Sequence, residues 1–131
     1  MRRRSLSAVE ECYRGRQVRV FRLRRDTLLA DLETRARRLL DERSEVLEIK
    51  LFGSLVTGHA GPGSDADILI VLSESEKPFL DRIPDYARFL AGVGVGCDLF
   101  PYTLAELAGL RHMQTRFIDN AWRDGRVLAT R

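Results

Sequence analysis

Asp65 and Asp67 stand one residue apart at the head of an apolar run, Ile68 to Leu72. If that run is a strand, side chains alternate with period two and both carboxylates point the same way. At ~6 Å and an effective dielectric near 20, two such charges repel by roughly 2–3 kcal/mol, less when solvated. Keeping them together calls for a compensating cation, and paired carboxylates at a loop edge suit Mg²⁺, which takes oxygen ligands. Upstream, an apolar run ends in Gly53-Ser54, and the loop from Thr57 to Ser64 holds Gly58, Gly61, Pro62 and Gly63, which forbid regular structure. A third acidic residue, Asp98, interrupts the otherwise apolar segment Val93 to Pro101, where a lone carboxylate is costly to bury. If the two apolar segments are neighbours, Asp98 comes up beside Asp65 and Asp67. The plain alternative puts Asp98 at a strand end facing water.

Other elements must hold these groups in place. Gln17 to Leu23 alternates well enough for a short strand, and its arginines suit a sheet edge, where charge discourages further pairing. Asp26 or Thr27 can cap a helix running to about Arg43, with Leu28, Leu32, Ala36, Leu39 and Leu40 as its apolar stripe. Asp31, Glu33, Arg35, Arg38 and Asp41 occupy the other face, so this helix is expected to lie on a sheet. Glu45 to Phe52 reads as a strand with Leu47, Ile49 and Leu51 on one face, ended by Gly53. Asp67 to Leu72, almost wholly apolar, fits a central strand covered on both faces.

Phe79 to Leu90 reads as a helix through Phe79, Ile83, Tyr86, Ala87 and Leu90. A third strand follows from Val93 to Pro101, with Val95, Cys97 and Leu99 facing one way and Asp98 and Phe100 the other. Thr103 and Glu106 have the spacing of a capping box for a short helix. His112 to Asp124 reads as another helix, stopped by Gly125, with Val127-Leu128 as a short apolar dock. Residues 1–16 carry little pattern and read as a loose arm or a frayed helical turn, leaving 17–131 as a single domain.

Length and composition bound the function. A chain of 131 residues is one domain with room for a real core, and 44% hydrophobic against 31% charged residues excludes a disordered chain. No apolar run approaches the ~20 residues of a membrane helix, and no signal-peptide core follows the basic start. Cys12 and Cys97 are widely separated and form no metal-type cluster, so a reduced, cytoplasmic setting is expected without a disulfide. The net charge of +3 is modest, and its arginines near the N-terminus read as a solvated edge. No aromatic-interleaved platform for nucleic acid is present. His59 and His112 are expected to face solvent, since magnesium prefers oxygen.

Gly53-Ser54, the spacer Leu55 to Ser64, Asp65-Ala66-Asp67 and the later Asp98 together resemble the signature of the DNA polymerase beta-like nucleotidyltransferase superfamily. They resemble in particular its small prokaryotic minimal nucleotidyltransferases, over about Val18 to Thr103. The resemblance implies an α/β (α+β) fold, a mixed β-sheet flanked by helices. It implies two Mg²⁺ ions, replaceable by Mn²⁺, held by the catalytic carboxylates Asp65, Asp67 and Asp98, with ATP as substrate. Asp98 would also help deprotonate the attacking hydroxyl. Gly53 would let the backbone approach the phosphates, Ser54 would hydrogen-bond them, and Ser64 would be a further nucleotide contact.

Family members often carry an arginine soon after Gly-Ser, where this chain reads Leu55, Val56 and Thr57; His59 and Arg88 are candidates for its role. Small members of this family resemble the antitoxin half of a toxin–antitoxin pair. The implied reaction is transfer of AMP onto a hydroxyl of a helical HEPN-type partner protein. Two other readings stand beside it. One is a catalytically silent module of the same fold that neutralises its partner by contact, and the other is a small-molecule (aminoglycoside-type) nucleotidyltransferase.

Overall fold

The computed structural model describes residues 9–14, 19–53, 56, 65–112, 119 and 123–131. In chain order the elements are β1 (Val9–Arg14), β2 (Arg19–Leu23), α1 (Arg25–Glu42), β3 (Val46–Phe52), β4 (Ala66–Leu72), α2 (Phe79–Leu90), β5 (Cys97–Thr103), α3 (Leu104–His112) and β6 (Arg126–Thr130). Four strands form one sheet in the order β5-β4-β3-β6, while β1 and β2 pair as a separate two-stranded sheet. β4 runs parallel to β5 and antiparallel to β3, so the main sheet is mixed, and helices pack on both of its faces. This is the expected α+β class. None of the described helices is long and apolar enough to cross a membrane.

α1 forms where the 3.6-residue stripe predicts it. Leu28, Leu32, Ala36, Leu39 and Leu40 are all buried, joined by Leu29. They pack with Ile49, Leu51, Ile68, Ile70 and Leu72 of the sheet and with Tyr86, Phe89 and Leu90 of α2. The helix starts earlier than Asp26 or Thr27 would allow as caps. Arg24 holds the N-cap position without a side-chain bond, and Asp26 falls in the first turn, where its charge suits the helix dipole. At the other end α1 has no basic residue of its own in the last turn. Arg131 supplies one, donating to the carbonyls of Arg43 (3.0 Å), Leu40 and Val46.

The sheet corrects two readings of the sequence. The register of β3 against β4 shifts between Val46 and Glu48. That bulge breaks the alternation, so Val46, Ile49 and Leu51 face α1 while Leu47 packs on the opposite face with Phe52, Leu69, Val71 and Leu107. β5 begins at Cys97 rather than Val93. Gly92 and Gly94 hold left-handed φ values of 81° and 100°, which an extended strand cannot accommodate. Beyond that point the alternation holds, with Cys97 and Leu99 on the α1 side and Phe100 on the other.

Both ends of the chain contribute strands. Residues 9–14, expected as part of an arm, pair antiparallel with β2. Val127-Leu128 lies within β6, which completes the sheet beside β3. Most of the helix expected over His112 to Asp124, and the whole Thr57–Ser64 loop, lie outside the described residues.

α2 spans the predicted residues, but its buried face is Arg82, Tyr86, Phe89 and Leu90, and Ala87 is exposed. Arg82, only 5% exposed, bonds the carbonyls of Lys77 and Pro101 at 2.9 Å each and grips Glu106 with both Nη atoms, at 2.6 and 3.1 Å. The capping box is present, with Glu106 Oε1 accepting from the Thr103 N–H and Thr103 Oγ1 from the Glu106 N–H. Arg82 thus joins α2, the end of β5 and the start of α3.

Arg82→Met should lower stability by about 3 kcal/mol, the low end for a broken buried pair because Glu106 keeps contact with water. Arg82 pulls the Glu106 carboxyl down to about 2, below its ordinary value. A depressed carboxylate adds stability above its unfolded-state pKa and loses it as pH falls through the folded one. Urea titrations between pH 5 and 2 should therefore show a steeper acid loss in the wild type than in Arg82→Met.

Candidate active site

β4 and β5 run parallel in the register Ala66↔Cys97 to Leu72↔Thr103, which sets Asp67 directly opposite Asp98. The expected adjacency of the two carboxylate-bearing strands is therefore present. Asp67 shares its face with Leu69 and Val71, and Asp98 with Phe100, so both lie on the α3 side of the sheet. Phe52 and Phe100, with ring centroids 5.6 Å apart, pack on that same face.

On the other side of β4, Asp67 pairs in register with Phe52, which brings Gly53 against it. Gly53 has φ +84°, and a Cβ built there would sit 2.4 Å from Asp67 Oδ2. Gly96 plays the same part for the other carboxylate. A Cβ on Gly96 would lie 2.5 Å from Asp65 Oδ1, and the Gly96 carbonyl accepts the Ala66 N–H at 2.8 Å. Two glycines thus vacate the space that two carboxylates fill. Gly96 alternates with Gly92 and Gly94 before Asp98, but no periodicity in the sequence assigns it a place beside Asp65.

Electrostatics tie the three carboxylates into one group. Burial, then Asp98, then Asp65 raise the Asp67 carboxyl above its ordinary range. Cys97 registers the same neighbours: burial, then Asp65, push its thiol up to about 11, with Asp98 adding and Arg35 opposing. It stays a protonated thiol packed toward the α1-side core, on the face shared with Leu99.

The donor set suits Mg²⁺ or Mn²⁺, being three hard oxygen ligands on adjacent backbone segments, two of them in cradles a side chain would fill. Among the described residues no three His, Cys, Asp or Glu side chains close around one point. Ser54, Ser64 and His59 lie outside the described residues. Arg88 does not take up the role considered for it, since its guanidinium lies 4.3 Å over the Phe89 ring and acts on Asp85.

With the carboxylates so placed, residues 33–112 match the family model of the nucleotidyltransferase domain. The chain belongs to that family. The matched span contains the whole Gly53, Asp65, Asp67 and Asp98 arrangement. A candidate nucleotidyltransferase from Sulfolobus solfataricus shares the fold of this nucleotidyltransferase domain with a TM-score of 0.56 at 19% identity, over 82% of this chain and 84% of that one. A toxin–antitoxin structure with AMP-PNP is similar at a TM-score of 0.55 and 25% identity, over 76% of this chain and 73% of that one. No curated protein matches the chain.

The raised Asp67 carboxyl gives a prediction with two opposite signs. A carboxylate whose folded pKa lies above its unfolded one subtracts stability once ionised, fully above the folded value and not at all below the unfolded one. Asp67→Asn removes that penalty, so in chelator near neutral pH the variant should melt a few degrees above the wild type. Adding Mn²⁺ or Mg²⁺ should stabilise the wild type by linkage and the variant much less. Calorimetric melts with and without metal check both signs. An equal metal shift in wild type and in an Asp65→Asn, Asp67→Asn double variant would remove the carboxylates from metal binding.

Proposed function

We propose that this nucleotidyltransferase domain moves AMP from ATP onto a hydroxyl of a partner protein and thereby silences it, acting as the antitoxin of a pair. The observation that carries the reading is the Asp67–Asp98 register with Asp65 just before β4, three carboxylates at the same end of two adjoining strands, with Asp67 raised by burial and then by the other two. The similarity to a toxin–antitoxin structure with AMP-PNP supports the partner and the nucleotide class. The partner on this reading is a small helical HEPN-type protein.

Asp65, Asp67 and Asp98 would hold two Mg²⁺ ions, which when bound stabilise the attacking and leaving oxygens of an in-line displacement. The chain's own part is placement and proton handling. Asp98, exposed beside Asp67, takes the proton of the acceptor hydroxyl as its oxygen attacks the α-phosphorus. The bond from the α-phosphorus to the bridging oxygen breaks, and pyrophosphate leaves. Gly53, free of a side chain, lets phosphate approach the backbone beside Asp67, and Ser54 is assigned a hydrogen bond to it.

The experiment is incubation with labelled ATP, Mg²⁺ and the candidate partner, read by the partner's intact mass. A gain of one AMP is the expected result. Tight complex formation with no label and no mass gain would replace transfer by contact alone.

A further inference from the structure

We propose that Arg25 is a positioning residue for the nucleotide site, holding the Gly53 turn in place from the start of α1; the inference rests on the nucleotidyltransferase reading above. Arg25 is the first residue of α1, and its Nη2 reaches 31 positions along the chain to donate to the Val56 carbonyl at 3.2 Å. The Val56 N–H in turn donates to the Gly53 carbonyl at 3.1 Å. Gly53 lies beside the Asp67 carboxylate, so close that an added Cβ would fall 2.4 Å from Asp67 Oδ2. An unbroken set of contacts therefore runs from Arg25 through Val56 and Gly53 to Asp67.

Each link has a physical reason to transmit position. α1 is a fixed platform, because Leu28, Leu29 and Leu32 in its first two turns are buried in the core. Arg25 is half-buried, so its bond to Val56 is partly screened from water, and a charged donor makes a stronger bond than a neutral one. Gly53 sits in the left-handed region, where a change in the turn re-aims the chain. Val56, bonded to the Gly53 carbonyl, is thereby tied to the core through α1. Arg25 touches neither phosphate nor acceptor in this account; it acts through Val56.

The test is calorimetric titration of ATP with Mg²⁺ into wild type, Arg25→Ala and Arg25→Lys, beside a thermal melt of each. Loss of the tether should weaken ATP binding roughly tenfold, the equivalent of about 1.4 kcal/mol. The Arg25→Ala melting temperature should fall by only a few degrees, and Arg25→Lys, which keeps a charged donor, should recover most of the affinity. If Arg25→Ala does not fold, Arg25→Gln carries the same expectation. Wild-type affinity in the folded Ala or Gln variant overturns the inference, as does a large loss of melting temperature that Arg25→Lys does not rescue. A wild type that binds no ATP takes down the nucleotidyltransferase reading and this inference with it.

Discussion

A single methyl group at position 53 should strip the site of nucleotide affinity and leave the sheet standing. Gly53→Ala meets two obstacles at once. Its φ of +84° costs a residue with a Cβ roughly 1–2 kcal/mol. The new Cβ would also lie 2.4 Å from Asp67 Oδ2, well inside contact distance. The ladder pairs Phe52 with Asp67, which keeps the two backbones from drawing apart. Relief must then come from the Asp67 side chain or from the Gly53 turn, and both belong to the proposed site. ATP affinity in the presence of Mg²⁺ should fall at least ~30-fold, with folding stability lower by about 1–3 kcal/mol.

Gly109 in α3 is the control, because a Cβ there meets nothing within 4 Å. Gly109→Ala should leave ATP binding unchanged and stabilise the protein by roughly 0.5–1 kcal/mol through helix propensity. Titration calorimetry and urea unfolding on both variants check this pair. Unchanged affinity in Gly53→Ala would mean that the phosphates bind elsewhere.

Where a single period governs an element, the sequence was enough to read it. The stripe of α1 was legible because five of its six buried residues recur at helical spacing, and β4 because an unbroken apolar run fits a strand covered on both faces. The carboxylate site was legible conditionally: Asp98 joins Asp67 only if β4 and β5 are neighbours, which no local pattern can prove and the parallel register supplies. What local periodicity missed was set by tertiary contacts. The bulge that turns Leu47 away from Ile49 is a property of the β3–β4 pairing, not of β3 alone. Arg82 is a charged residue on a helix face read as apolar, made tolerable by Glu106 on an element 24 positions away. β6 is five residues long and takes its place by pairing with the β3 edge, a contact no local pattern announces. Gly96 was hidden for the opposite reason, as its role lies in the atom it lacks.

Asp98→Asn is expected to separate chemistry from contact. The side chain is exposed, Asn matches its shape, and β5 is anchored by the buried Leu99, Pro101 and Thr103, so the fold should survive. Removing the charge opposite Asp67 also relieves one of the influences that raise the Asp67 carboxyl, leaving Asp67 readier to ionise. ATP binding should therefore stay close to normal. Transfer should not, because Asp98 is the group placed to take the hydroxyl proton, and a carboxamide has no basic lone pair at neutral pH. Loss of a general base is worth roughly 10²–10⁴-fold in rate, and loss of a metal ligand adds to it. Interactions made only in the transition state affect turnover rather than substrate affinity, so the split between unchanged binding and lost transfer is the signature to seek. Co-expression with the partner supplies the readout: Asp98→Asn should leave the partner active and its mass unmodified. If the variant silences the partner while no AMP is added, contact alone does the work and the carboxylates are not there for transfer.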